Sequence, residues 1–406
     1  MDAADATVLM VLASREASET FVAREIDALQ KRGYPLVVAC LTERRHSCLR
    51  RGALTERRHS CLRRLAIPFC NFLRGVADKN VYAPLLRRII EELLSFSPRN
   101  ALRIWRHRHA IAALVEKARE VGAARLHAQF AWIATDVTGI AAQILNLPWA
   151  CSVHAWDVFT RPASELRRRL RGAEFVIACN ERARDVVASA VTCHVHLVRH
   201  GLKWREHPAP MPTSKQDMIV SIGRLVPKKG FDTLLVAMSR LCHKHARLVL
   251  IGDGPERGRL QRLATKLNLA RRVEFLGSLP HGAAMRELSR AALLALPSRR
   301  TRGNDSDGFA NVLTEAMLHG APIVTTTAAG AGELLADNES ALLVPPDDPA
   351  RLAAAMDRLF ADPALQKRLA DNARRVLETH LDEDVEIAKT AALIFPFCKP
   401  GMIEIC

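Results

Sequence analysis

Residues 297–320 read PSRRTRGNDSDGFANVLTEAMLHG, and the fold follows from how this stretch is parsed. A polar, glycine-containing loop with two close carboxylates, Asp305 and Asp307, runs into ANVLTEAMLHG, whose apolar residues recur at helical spacing and stop at Gly320. The apolar run ALLALP leads into it and APIVTTT follows. Strand, loop and helix in that order place the loop at the carboxyl end of a strand, with the helix N-terminus opening toward the same point. Ligands of open α/β sheets bind there, and the N–H groups and dipole of the helix favour a phosphate. A further carboxylate, Glu315, stands eight positions after Asp307.

Outward from this stretch the same alternation recurs. Toward the N-terminus lie DMIVSIGRL, FDTLLVAMSRL, ARLVLIGDGP, ERGRLQRLATKLNL, RVEFLGSL and AAMRELSRA; the segments from 349 onward are helical. Residues 199–217 lose all periodicity and hold three prolines, the pattern of an interdomain linker. Before it, TVLMVLA (7–13) and PLVVACL (35–41) are short continuous apolar runs, as expected of strands buried on both faces of a parallel sheet. Between them SETFVAREIDALQKRG has Ser18 as N-cap, Phe21, Val22, Ile26 and Leu29 on one helical face, and Gly33 as stop. The expected fold class is α/β, with two Rossmann-like domains facing across a cleft. The expected division is a first Rossmann-like domain at 1–200, a linker at 201–217, a second such domain at 218–380, and a tail at 381–406 that packs back on the first domain.

Composition bounds the partners. The chain has 406 residues, is 49% hydrophobic and carries a formal net charge of +16. No apolar run reaches transmembrane length, and the N-terminus is acidic where a signal peptide is basic, so a cytoplasmic protein is expected. Aromatic residues make up 5% of the chain and do not interleave with the basic stretches, which argues against nucleic acid and for lipid headgroups or phosphate. LTERRHSCLRRGA at 41–53 recurs at 54–66 with Leu65 in place of Gly52; each copy has a net charge of +3. Two short units do not make a solenoid, and the duplication reads as a tolerated surface insertion or a basic arm for an anionic membrane surface. Basic faces in LLRRII and RIWRHRHAI read as the solvated backs of core helices or as amphipathic stretches that lie on an anionic membrane. Ten cysteines without a C-x-x-C pair read as reduced and mostly core. Cys193, His194 and His196 read as a strand with alternating faces rather than a metal site, because no second ligand pair stands at a suitable spacing.

Several residues sit where chemistry is expected. His154 and Asp157 fall at the carboxyl end of the strand WACSVHA. SIGRLVPKKG puts Gly223 and Arg224 after a strand and Lys229 before a helix, so a guanidinium fork and an ammonium point charge can converge on a diphosphate. IGDGP is a second glycine turn, including Gly252, and EFLG, including Leu276, offers backbone groups for a base.

Taken in order, SIGRLVPKKG, LVLIGDGPE, RVEFLGSLP and DGFANVLTEAMLHGAPIVTT resemble the donor domain of the GT4 family of retaining glycosyltransferases, which have the two-domain GT-B fold. SETFVAREIDALQKRGY, HAQFAWIATDVTGIAA and SVHAWDVF are similar to members of the exopolysaccharide and colanic acid type. The resemblance implies that Arg224 and Lys229 grip the donor diphosphate and that Gly308, Phe309 and Ala310 offer it backbone N–H groups. It implies that Glu315 holds the nucleotide ribose, that Asp307 takes the position of a glutamate contacting the transferred sugar, and that His154 contacts that sugar near the reaction centre. Donor-binding residues are then Gly223, Arg224, Lys229, Gly252, Leu276, Gly308, Phe309, Ala310 and Glu315, with His154, Arg224, Lys229 and Asp307 catalytic. Lys203 stands where relatives carry aspartate.

The expected activity is metal-independent transfer from a nucleotide sugar, without a cofactor, to a glycan or lipid-linked acceptor at the inner face of the plasma membrane. Alternatives are a GT-B epimerase or phosphorylase, the latter disfavoured by the lack of a lysine and histidine set for a pyridoxal group, and a basic membrane-associated protein that binds sugar nucleotides without turnover.

Overall fold

The structure, a computed structural model, describes residues 7–13, 20–41, 87, 98–206, 216–328 and 330–396. Ser18, the duplicated stretch from residue 42, all but one residue of LLRRII, the middle of the expected linker and the last ten residues lie outside these. The chain divides into two compact units, one of Met1–Cys179, Ala183–Val198 and Ile387–Cys406, the other of Asn180–Arg182 and Arg199–Glu386. Among the described residues no helix is long and apolar enough to cross a membrane.

The first unit is built on six parallel strands, β1 (Thr7–Leu12), β2 (Leu36–Cys40), β3 (Ala123–Gln129), β4 (Trp149–Val153), β5 (Phe175–Ala178) and β6 (His194–Leu197), ordered β2-β1-β3-β4-β5-β6. The uninterrupted apolar run of β1 follows from its place inside the sheet: Leu9 and Val11 join one core layer, Val8, Met10 and Leu12 the other. A run alternating with polar residues would leave one face wet, which a doubly covered sheet does not permit. The helix Thr20–Lys31 lays Val22, Ile26 and Leu29 on the second layer. It stops at Gly33 (φ +75), where the N–H groups of Gly33 and Tyr34 reach back to the carbonyls of Gln30 and Leu29 at 3.0 and 3.2 Å. The last described helix, Glu383–Ile394, delivers Ile387, Ala391 and Ile394, followed by Phe395, to the same layer. Arg125 fastens it there by donating to the Leu393 carbonyl at 2.8 Å while pairing with Glu174 at 2.7 Å.

In the second unit β7 (Gln216–Ile222), β8 (Arg247–Ile251), β9 (Val273–Gly277), β10 (Ala291–Leu296), β11 (Ile323–Thr326) and β12 (Leu342–Val344) form a parallel sheet ordered β12-β11-β10-β7-β8-β9. Counted within the unit this is the doubly wound order 3-2-1-4-5-6, and the chain reverses direction across the sheet between β7 and β10. In the first unit the equivalent point lies between β1 and β3. All six residues of β10 are buried, and the helix Asn311–Leu318 after it closes through Gly320 (φ +62), with Ala321 N donating to Ala316 O at 3.0 Å and Gly320 N to Met317 O at 3.4 Å.

The cysteine expectation needs correction. Of the described cysteines, Cys151 is buried, Cys40, Cys179 and Cys193 are half-buried, and Cys242 is exposed. The strands β2 and β6 are sheet edges, so Cys40 and Cys193, at or beside their ends, lack a covering neighbour on one side. On β6 the rings of His194 and His196 lie 4.3 Å apart on one face, the alternation expected of a strand.

Candidate functional site

The carboxyl ends of β7 and β10 are joined through glycine. Gly223 N donates to Ile251 O at 2.9 Å, and a Cβ on Gly252 (φ +135) would stand 2.0 Å from the Gly223 oxygen, so the turn after β8 lies directly on the turn after β7. Close backbone approach accounts for Gly252. The chain then makes one 3-10 turn, Pro227–Lys229, ending at Gly230 (φ +66). A Cβ there would meet the Pro297 carbonyl oxygen at 2.0 Å, and this contact brings the loops after β7 and β10 together at the point where the sheet order reverses. Arg299 ties the two loops. Its N–H donates to Lys228 O at 2.8 Å, its Nε to Pro227 O at 2.9 Å, and its guanidinium ends on Asp232 at 2.9 Å and Asp347 at 2.7 Å.

Held this way, Ser298, Asp305 and Asp307 of the loop after β10 meet Lys228 and Lys229 of the loop after β7 in a compact ionic cluster. Lys229 Nζ lies 2.7 Å from Asp307 Oδ2, Lys228 Nζ lies 3.5 Å from Asp307 Oδ1 and 3.0 Å from Asp305, and Ser298 Oγ donates to Asp307 at 3.0 Å. The side chains of Lys228, Lys229 and Asp307 are only 8%, 13% and 10% exposed. Burial by itself would push the Asp307 carboxyl up; Lys229 and Lys228, with hydrogen bonds from Lys229 and Ser298, outweigh it and hold the group below its ordinary range. Lys229 runs alongside Gly223, where a Cβ would come within 3.2 Å of its Cε. Arg224 is exposed. The two lysines and two aspartates of the cluster carry balancing formal charges.

The other residues singled out in the sequence of this unit fall on several elements. Ala310 precedes the helix Asn311–Leu318, whose opening N–H groups have no acceptor within the helix. Gly308 and Phe309 lie beneath the turn at Gly330 (φ +68), where a Cβ would approach the Gly308 carbonyl carbon to 3.0 Å and Phe309 N to 3.2 Å. Glu315, within that helix and largely buried, has Oε1 3.8 Å from His281 Nδ1 at the start of the helix His281–Arg290. Leu276 lies on the edge strand β9, two strands from β7, and packs half-buried against the core below. Lys203 pairs with Glu206 at 3.0 Å.

In the first unit a second set of groups gathers at the carboxyl ends of β3 and β4. His154 is 6% exposed, with its ring 4.3 Å from Phe130 and 4.8 Å from Phe21 between centroids. Its Nε2 faces Gln129 Oε1 at 3.1 Å; an amide oxygen only accepts, so Nε2 carries the proton. Gln129 is in turn hydrogen bonded with Glu25, whose carboxyl burial pushes up to about 7. Phe130 stands at φ +69, a conformation rare for an aromatic residue. The turn there presents the next N–H, that of Ala131, to Asp157 Oδ2 at 2.5 Å, while Oδ1 accepts from His154 N at 2.8 Å. Asp157 is completely buried, and burial raises its carboxyl to about 7 against these hydrogen bonds. Its role is to bind two loops, and it presents no face to solvent. His127, at the middle of the unit, shares a 2.9 Å hydrogen bond with Ser152 and is driven by burial, with Arg125 adding to it, to about 3, so it is neutral.

Three groups here are not singled out in the sequence: Lys228, Glu25 and Gln129. Nothing in a Lys-Lys pair says which member turns inward, and Glu25 lies beside the apolar positions of its helix without a pattern of its own.

The two parallel, doubly wound sheets define a class, the α/β proteins built of two Rossmann-like units. Comparison with known proteins narrows it. Residues 203–376 match the family model described as Glycosyl transferases group 1, and the chain carries a domain of that family. It is 26% identical over 288 residues to a glycogen synthase of Mycobacterium tuberculosis strain H37Rv, covering 66% of this chain and 68% of that protein. It is 33% identical over 160 residues to the lipopolysaccharide core biosynthesis glycosyltransferase LpsE of Rhizobium meliloti, covering 39% of this chain and 44% of the relative. Among solved structures, Anabaena Alr3699/HepE in complex with UDP and glucose superimposes with a TM-score of 0.69 at 18% identity, over 96% of this chain and 99% of that one. That likeness shows the fold, GT-B, with two Rossmann-like units.

Proposed function

We propose that the protein is a retaining glycosyltransferase that moves a sugar from a nucleoside-diphosphate sugar to a lipid-linked or polysaccharide acceptor in bacterial cell-surface glycan synthesis. The observation that carries the reading is the Lys228, Lys229 and Asp307 cluster, set beside Arg224 and the opening of the helix Asn311–Leu318 at the sheet reversal of a glycosyl transferases group 1 domain.

Departure of the diphosphate puts positive charge on the anomeric carbon and adds negative charge to the leaving oxygen. Arg224 and the helix N-terminus, with Lys229 once it has turned from Asp307, stabilise the latter by charge and hydrogen bonding. These cations can serve in place of a divalent ion. Glu315 holds the ribose hydroxyls, Gly308, Phe309 and Ala310 offer N–H groups to the phosphates, Gly223, Gly252 and Leu276 shape the floor for the nucleotide, and Asp307 contacts the transferred sugar once Lys229 turns to the diphosphate. The role for His154 that the GT4 resemblance implies, contact with that sugar, belongs to the same proposal. So do the leaving diphosphate as the base that takes the acceptor proton, with attack from the same face, and work at the inner face of the plasma membrane.

Lys229→Ala and Glu315→Ala should each abolish transfer from a nucleotide sugar while circular dichroism stays near that of the parent; Lys229→Ala should also lower the melting midpoint, because it leaves the buried Asp307 without its nearest cation. Near-normal turnover in both variants contradicts the proposal. HepE binds UDP and glucose in its crystals, so UDP-glucose is the first donor to test.

A further inference from the structure

One exposed aromatic group of the first unit is not used by the donor-side chemistry. Trp156 is 42% exposed although it follows the buried His154 by two positions and its helix, Ala155–Phe159, buries Asp157, Val158 and Phe159. It is held rigid. The ring of Trp132 meets it edge-on with centroids 5.4 Å apart, and the Arg161 guanidinium lies 3.7 Å over Trp132 and 5.4 Å from the centre of Trp156. A second guanidinium, that of Arg169, lies 4.9 Å from Trp132 and pairs with Glu165 at 2.9 Å and Asp136 at 3.2 Å, which fixes the support from below. The base beneath is the Asp157 bridge to Ala131 and His154.

An indole left facing water forgoes the stabilisation that burying it brings. Here a neighbouring tryptophan and an arginine immobilise the ring in that position instead of covering it. A pre-ordered aromatic face loses little entropy when a ligand settles on it. Its place, at the carboxyl ends of β3 and β4 beside the sheet reversal between β1 and β3, is where doubly wound sheets take ligands. The negative face of an indole attracts the weakly positive C–H edge of a pyranose ring, whereas the rim is left to the hydroxyls.

We propose that Trp156, buttressed by Trp132 and Arg161, is a stacking subsite for a pyranose ring of the acceptor. This rests on the glycosyltransferase reading in naming the ligand as acceptor, but the binding itself is measured without turnover.

The test uses the full chain and two probes, methyl α-D-glucopyranoside for the subsite and UDP for the donor side. Saturation-transfer NMR should show the C–H protons of one pyranose face receiving magnetisation from the parent protein. Trp156→Ala should lose at least three-quarters of that signal, and Trp156→Phe should keep about half, which separates loss of stacking from loss of fold. UDP affinity, measured by calorimetry, should change less than twofold in both variants. Equal glucoside signals in the parent and Trp156→Ala overturn the subsite. So does a result in which Trp156→Ala weakens binding to phosphatidylglycerol vesicles and leaves the glucoside signal unchanged, because the indole then serves a lipid surface. Failure of UDP to bind the parent refutes the function proposed above and leaves the glucoside comparison standing as its own test.

Discussion

Replacing Asp307 by asparagine removes the charge that two buried lysines share and keeps the size of the side chain. Lys229 loses a carboxylate at 2.7 Å; Lys228 loses one at 3.5 Å but retains Asp305 at 3.0 Å. Removing one partner of a buried pair costs about 3–5 kcal/mol because the other charge is left uncompensated. With Lys228 still paired, the lower end applies, about 3 kcal/mol. A unit of this size shifts its midpoint by about 2–4 °C per kcal/mol, so the second unit should melt about 6–12 °C lower. Scanning calorimetry measures this, the relevant transition being the one UDP raises. The pH dependence has a definite sign. The Asp307 pKa is depressed in the folded state from its ordinary value of 3.8, so the stabilisation is complete above that value and is lost as pH falls through the folded pKa. The gap between parent and variant should therefore be constant from neutral to mildly acid pH and narrow only in strong acid. UDP should raise the midpoint of the variant more than that of the parent, since the diphosphate supplies the charge that asparagine lacks. An unchanged midpoint, or an equal gain from UDP in both proteins, refutes the view that Asp307 holds Lys229 until a diphosphate arrives.

Other consequences are as concrete. Gly230→Ala places a Cβ 2.0 Å from the Pro297 oxygen in a left-handed turn that alone costs about 1–2 kcal/mol, so melting should fall and UDP affinity, read by calorimetry, should drop with it. Glu25 is raised from 4.5 to about 7 in the folded state, so it favours the folded protein below its unfolded value and that contribution is lost as pH rises through about 7. Glu25→Gln should therefore leave the melting of the first unit little changed at low pH and raise it above pH 7; the opposite order contradicts the burial of this carboxyl. Gln129→Leu removes the acceptor facing His154 Nε2 and should shift the imidazole nitrogen resonances of His154, seen by 15N NMR, away from a single protonated tautomer.

Much of the architecture is legible in the sequence because parallel strands covered on both faces leave continuous apolar runs, as in TVLMVL and AALLAL, and because glycine marks the turns that close helices at Gly33 and Gly320. Strand order is not written in any local pattern, so the sheet reversal between β7 and β10 emerges only in three dimensions, although the loops beside it are the ones the sequence singles out. Within the site, Lys229 and Asp307 are readable as charges near a helix start, but their pairing is not, because it depends on Gly230 pressing against Pro297. Lys228, Gln129 and Glu25 carry no periodic signature; tertiary packing sets their surroundings. Trp132 and Trp156 lie 24 positions apart and become a pair only when β3 and β4 lie side by side.

The claim that a nucleoside diphosphate binds where β7 and β10 meet has a direct measurement: titration of UDP, GDP and ADP into the full chain and into Arg224→Ala and Lys229→Ala by isothermal calorimetry. A charge-assisted hydrogen bond contributes about 1.5–3 kcal/mol, or about 10–150-fold in affinity. At least one of the three nucleotides should bind the parent, and each variant should lose that factor. Binding of equal strength in the parent and both variants, or no binding of any of the three, contradicts the account.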